Sequence, residues 1–265
     1  MRGEMKATLR IYQWPSQAFW RCLEVRALRQ VEYDRPILEI GCGDGRLSSL
    51  IFEEIDEGID VNPRSIEKCR RLAGRLYRAV RCQDARDLPD SSAKFATIYA
   101  NCVMEHIPNI EAVLAGCSRA LRPGGKLVMT VPLVRMNEHL LFPWRWYAEM
   151  RQQQLVHINL FTEEKWEAIL RAAGFHRIEF RPYLSGEACR FWDSLDAPGS
   201  LGFGRYRAAV VLGRTAARLL PEGAREWGVD RLSRWLADKA KAGWETGAAC
   251  AVVAVAYKAA AEDRE

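Results

Sequence analysis

The 265-residue sequence predicts an α/β fold built on a parallel sheet, and three observations carry that prediction. Between Pro36 and Val131, short β-branched runs alternate with stretches of helical periodicity, a glycine cluster ends the first of those runs, and the loops between them are short. Repeated strand-then-helix units with short connections align the strands in one direction and cover both faces of the sheet with helices.

Each element has its own signal. Ile37–Gly41 (ILEIG) is the first strand, and the stretch from Asp44 is read as a helix because Leu47, Leu50 and Ile51 recur at helical spacing. Gly58–Val61 (GIDV) is the second strand. A helix follows from Pro63, a residue suited to a first helical turn, with Ile66, Cys69, Ala73 and Leu76 on one face. AVRCQD, FATIYAN and KLVMTV are three further strands, and Ile110–Leu121 is the helix before the last of them. Beyond Pro132 the alternation stops. Leu133–Val156 is a long connection carrying Phe142, Trp144, Trp146 and Tyr147, the sort of segment that forms a lid or a binding loop. Regularity returns with a helix opened by Thr162 and stopped by Gly174, then the strand HRIEFRPY. Within Leu184–Gly247 an amphipathic stripe of Val229, Leu232 and Leu236 predicts two helices.

Composition excludes several classes. Apolar residues at 49% and charged residues at 28% match a soluble globular chain, so collagen-like and disordered readings fail. The net charge of +5 is too small to argue for nucleic acid. The eight cysteines show no CxxC or Cys/His ligand spacing, so neither a metal site nor a disulfide framework is expected. Together with an amino terminus that has no apolar core, this points to a reducing cytoplasm. The apolar run Ala248–Tyr257 is well short of the roughly 20 residues that span a bilayer, and is read as a buried strand.

Three carboxylates define the chemistry. Glu39 precedes Gly41-Cys42-Gly43-Asp44-Gly45 at the end of the first strand, where glycines let a ligand approach the backbone. The order is GxGxG rather than the GxGxxG of dinucleotide sites, and an acidic neighbour repels a pyrophosphate but pairs with an ammonium group. Asp60, about 20 residues further on, can accept hydrogen bonds from two ribose hydroxyls. Asp84 ends the third strand, where it can take an exocyclic amine. The implied ligand carries an amine, a ribose and an adenine.

With these motifs in order (ILEIGCGDG, GIDVNPRSI, CQDARDLP, NCVMEHIPN and LRPGGKLVMTVP) the chain resembles the class I S-adenosylmethionine-dependent methyltransferases, in the small-molecule branch that includes quinone-biosynthesis enzymes. The resemblance covers Ile37–Pro132 closely. It implies a Rossmann-like, doubly wound sheet of seven strands with the last antiparallel, a helical cap at 1–35, a core at 36–183, a helical insertion at 184–247, and a final strand and tail at 248–265. It further implies that S-adenosylmethionine is held by Glu39, Gly41, Cys42, Gly43, Asp60, Val61, Asp84, Ala85, Asn101 and His106. Phe95-Ala96 stands where the family usually has Phe-Asp.

For the acceptor, the expectation is a small molecule that is apolar or linked to a carbohydrate, methylated at oxygen. Trp14, Phe19, Trp20, Trp144 and Tyr147 are the aromatic candidates for enclosing it. His139 and His157 are the candidate proton acceptors, while His106 is expected to anchor its loop. Phe191, Trp192, Phe203, Tyr206, Trp227, Trp235 and Trp244 among many arginines suit the insertion to a pocket cover, a homodimer interface or a peripheral membrane contact. The alternatives are an RNA or protein methyltransferase, opposed by NCVM in place of an NPPY-type tetrapeptide and by the lack of a nucleic-acid domain, and a catalytically inactive cofactor-binding assembly module, opposed by the full carboxylate set.

Overall fold

A computed structural model of the chain describes residues 1–88, 93–200, 221–241 and 247–260. Among them, β1 (Ile37–Ile40), β2 (Ile55–Asp60), β3 (Tyr77–Cys82), β4 (Phe95–Asn101), β5 (Leu121–Pro132), β6 (Phe175–Ser185) and β7 (Ala249–Lys258) form one sheet in the order β3-β2-β1-β4-β5-β7-β6. β3, β2, β1, β4 and β5 run parallel to one another, and β7 runs antiparallel to β5, with Lys126 opposite Tyr257 and Pro132 opposite Ala251. This is the expected seven-stranded, Rossmann-like sheet. β1 is buried at every position and β7 at all but its last two, as strands covered on both faces must be.

The helices are α1 (Arg2–Tyr12), α2 (Pro15–Leu28), α3 (Pro63–Ala73), α4 (Ile110–Ala120), α5 (Arg145–Leu155), α6 (Glu163–Ala172), α7 (Gly186–Ser200) and α8 (Glu222–Lys241). Asn62 caps α3 by accepting a hydrogen bond from the Arg64 amide, with Pro63 in the first turn. Thr162 caps α6 through the Lys165 amide, and Gly174 stops it at φ +92°.

Two expectations change. The helix read from Asp44 is only a 3-10 turn at Ser48–Leu50. Gly41, Gly43 and Gly45 all hold positive φ, and the Ser48 and Ser49 hydroxyls bond to Glu39 and the Arg46 carbonyl, which favours a turn over helix propagation. The long connection after β5 also carries structure of its own, a 3-10 stretch at Val134–His139 and then α5.

The chain divides into two compact units. The sheet unit comprises Arg29–Val134, Val156–Arg181 and Ala251–Glu265; the helical unit comprises Met1–Leu28, Arg135–Leu155 and Pro182–Cys250. In the helical unit α1 packs on α2 and α8, and α2 packs on α7. Phe19 lies edge-on to Phe191 and Trp20 edge-on to Trp192, each with ring centroids 5.0 Å apart. Arg2, Lys6 and Arg10 of α1 pair with Glu226 and Asp230 of α8. Among the described residues no helix is long and apolar enough to cross a membrane. Phe203, Tyr206 and Trp244 lie outside the described residues.

Candidate functional site

The site builds from the carboxyl ends of β1, β2, β3 and β4. Beyond β1 the amides of Gly41 and Cys42 both donate to the Ile59 carbonyl, 2.8 and 3.0 Å, so the glycine loop is tied to the end of β2. Asp60 accepts from the Gly43 amide at 2.9 Å and from the Asn62 amide at 2.8 Å, which fixes its carboxylate beside the loop.

The two central glycines do different jobs. A methyl group on Gly41 would lie 2.4 Å from the Val103 side chain, so this glycine admits the turn after β4. A methyl on Gly43, at φ +56°, would meet nothing within 4 Å. Gly43 therefore faces open space beside Asp60, where a ligand can approach the backbone. That cradle, flanked by carboxylates at successive strand ends, fits S-adenosylmethionine, and the residues that would hold it are Gly43, Asp60 and Asp84.

Glu39 is deeply buried and supports the site from below. Its oxygens accept from the Ser48 hydroxyl and the Tyr77 hydroxyl, both at 2.6 Å. Burial pushes its carboxyl up to about 7, opposed by those two donors. Its direct partners are thus in the protein, so it shapes the loop that would meet the ammonium group. Cys42 is buried, whereas Val61 is exposed. Asp84 caps the 3-10 turn Ala85–Asp87 and pairs with Arg86, whose guanidinium and amide hold the carboxyl below its ordinary range. Ala85 is buried. At the end of β4, Asn101 accepts from the Thr130 hydroxyl at 2.6 Å.

His106 and His157 come together in the sheet unit, ring centroids 5.4 Å apart. His106 Nδ1 lies 2.9 Å from the Val156 carbonyl, which is the loop-anchoring contact expected of it. Burial, and then the neighbouring His106, pushes the His157 imidazole down to about 4, so it is neutral at ordinary pH.

His139 belongs instead to the helical unit. There it borders a cavity of about 470 Å³ lined by Gly186, Glu187, Arg190, Phe191 and Ser194. The aromatic candidates Trp14, Phe19, Trp20, Trp144 and Tyr147 are also in the helical unit. Phe19, Trp20 and Tyr147 are buried in its interior, Trp14 is half-buried, and Trp144 stacks in the open on Phe142 and Trp146.

The sequence reading missed the polar interior of this unit. Arg151, fully buried, pairs with Asp193 at 2.8 Å and Asp196 at 2.7 Å. Asp193 also accepts from the Tyr147 hydroxyl and the Leu141 amide, and Asp196 from the Ser16 hydroxyl. The available signal was two aspartates at i and i+3 among Cys189, Trp192 and Ala197 on the buried face of α7.

Residues 17–179 match the methyltransferase-domain family. The ubiquinone biosynthesis O-methyltransferase of Idiomarina loihiensis is 30% identical over 100 residues, 36% of this chain and 41% of that protein. The O-methyltransferase cnsE of Penicillium expansum is 30% identical over 188 residues, 66% of each chain. The chain thus spans about two fifths of the length of the ubiquinone-biosynthesis relatives it matches. A S-adenosylmethionine-dependent methyltransferase of Thermotoga maritima superposes with a TM-score of 0.50 over 62% of this chain and 75% of that one, at 20% identity, a likeness of fold. The chain belongs to the methyltransferase-domain family, as a class I member of the kind that uses S-adenosylmethionine.

Proposed function

We propose that the protein transfers the methyl group of S-adenosylmethionine to a hydroxyl oxygen of a small, largely apolar acceptor. The observation that carries this reading is the 30% identity to an O-methyltransferase across two thirds of the chain, laid on a sheet whose strand ends present Asp60 and Asp84 beside an open Gly43. The cofactor, when bound, supplies a methyl group already activated on a sulfonium. The protein's own part is then mostly positional, because holding reactants in a near-attack geometry accounts for much of such a rate.

Asp60 and Asp84 anchor the ribose and the adenine, and the backbone at Gly43 carries the rest of the cofactor. Glu39 keeps that backbone in place through Ser48 and Tyr77. Burial keeps His157 neutral, and it is the candidate proton acceptor for the hydroxyl.

Methyl-labelled S-adenosylmethionine offered with panels of phenols, aliphatic alcohols, amines and transfer RNA tests the reading. Label in O-methyl products of the small hydroxyl compounds is expected. Transfer to amines or RNA alone, or to nothing in any panel, contradicts it.

A further inference from the structure

The outward face of α5 is mostly polar. Arg145, Ala148, Glu149 and Gln152 recur at i, i+3, i+4 and i+7, with the exposed Gln153 beside them, while Tyr147 and Arg151 on the opposite face are buried. That face does more than meet solvent. Together with Asn137 and Glu138 of the 3-10 stretch, and with Pro143 and Trp144, it lines a cleft of about 740 Å³ within the helical unit. Gln152 Nε2 donates to Asn137 Oδ1 at 2.7 Å and so joins the two walls, and Arg145 pairs with Glu149 at 2.8 Å along one of them. These contacts hold planar polar groups in place on the cleft wall.

The side chains in the cleft select the class of ligand. Glu138 and Glu149 outnumber the guanidinium of Arg145, which disfavours an anion. A quaternary ammonium needs a cage of several aromatic rings, and among the described residues Trp144 is the one aromatic side chain on the wall. A wholly apolar ligand would take water from the carboxylates and amides and give them no partner. What fits is a neutral molecule with many hydroxyls, each of which both donates and accepts. Among the described residues none bonds to or pairs with Glu138 or Gln153, and Asn137 keeps its amide nitrogen after its oxygen accepts from Gln152. Trp144 adds apolar surface to this polar set. It is 50% exposed, and parallel stacking on Phe142, with ring centroids 4.9 Å apart, fixes its orientation. Phe142, Trp144 and Trp146 form a run of exposed aromatics, a kind of patch that marks a binding surface.

We propose that the cleft between the 3-10 stretch and α5 binds a sugar in its pyranose form, the C–H face of the ring against Trp144 and the hydroxyls on Glu138, Asn137 and Gln153. A pyranose has the required division, hydroxyls around its rim and C–H bonds on a face. Trp144 by itself reads as an aromatic that encloses an apolar molecule; the amides and carboxylates that change its meaning come from the 3-10 stretch and from one face of α5. The site lies within the helical unit and requires neither S-adenosylmethionine nor methyl transfer, so it goes beyond the O-methyltransferase reading.

The test uses the full chain without S-adenosylmethionine. Methyl pyranosides of glucose, galactose, mannose, rhamnose and N-acetylglucosamine are titrated by calorimetry and followed by saturation-transfer NMR, beside choline, inorganic phosphate and phosphatidylglycerol vesicles. Trp144→Ala and Gln153→Ala are compared with the wild type, with circular dichroism to confirm folding. Gln153 is exposed and bonded to no described residue, so its variant keeps the fold even where loss of Trp144 does not. Saturable one-to-one binding of at least one pyranoside is expected, weaker by about fivefold or more in Trp144→Ala and by about twofold or more in Gln153→Ala. No pyranoside bound by the wild type, binding unchanged in a folded variant, or a preference for choline, phosphate or vesicles overturns the proposal. Because sugar binding is read with no cofactor present, a chain that binds sugar but methylates nothing, or the reverse, separates this site from the methyl-transfer reading.

Discussion

Two interiors in this molecule are organised by opposite means. In the sheet unit the central strands are nearly all apolar: β1 and β4 expose almost nothing, and β5 is buried from Gly125 to Pro132. In the helical unit, α2, α5 and α7 meet around a buried guanidinium held by two carboxylates, with a tyrosine hydroxyl and a serine hydroxyl completing the shell. A further buried carboxylate, Glu24, pairs with Arg21 and accepts from Tyr183. An apolar interior is tolerant of exchange among residues of similar size, whereas a buried ionic one depends on every member being present. The first can be read from runs of β-branched residues. The second cannot, because its partners come from three separate stretches of chain.

That difference is open to attack from several sides. Arg151→Ala leaves Asp193 and Asp196 buried without their cation, and should cost about 3–5 kcal/mol in chemical denaturation. A loss under about 1 kcal/mol would mean the helical unit does not depend on its ionic interior. Glu39 offers a contrasting case, a carboxylate in the sheet unit whose hydrogen-bond donors among the described residues are the neutral Ser48 and Tyr77 hydroxyls. Its folded pKa of about 7 lies above its ordinary 4.5, so the native state keeps this proton longer than the unfolded chain does. The associated stability is complete below about pH 4.5 and is lost as pH rises through about 7, a decline of up to about 3 kcal/mol. Glu39→Gln should flatten that slope between pH 5 and pH 8 relative to the wild type. Identical slopes would remove the burial argument.

Smaller effects separate the two glycines. Gly41→Ala combines a left-handed backbone with the close Val103 contact, and should lower stability by more than the about 1–2 kcal/mol of the backbone cost alone. Gly43→Ala carries the backbone cost without the clash, but places its methyl on the open side of the loop. Its loss of cofactor affinity should exceed its loss of stability. The reverse pattern in calorimetry and thermal melts would exchange the two assignments.

The strand-end positions of Glu39, Asp60 and Asp84 were legible because each carboxylate sits inside a short contiguous motif at the end of a strand, so all three could be located without knowing any long-range contact. Their exact partners were less legible. That Glu39 would be sealed beneath Ser48 and Tyr77 depends on Tyr77, 38 residues away, reaching under the loop. The helix expected after the glycines was overread from three apolar residues, since serine side chains competed with helical bonding there. Farther along, Trp20 and Phe19 read as binding aromatics but are packed against Trp192 and Phe191. Hydrophobic spacing alone does not distinguish an interior aromatic from one that lines a ligand site.

The central claim is that the ends of β1, β2 and β3 hold S-adenosylmethionine. Titration of the wild type and Asp60→Ala with S-adenosylhomocysteine tests it most directly. Two lost hydrogen bonds to a charged acceptor, at about 1.5–3 kcal/mol each, predict saturable one-to-one binding in the wild type and a drop of about 100-fold or more in the variant, with the fold unchanged by circular dichroism. No binding by the wild type, or equal binding by the two proteins, would contradict the account.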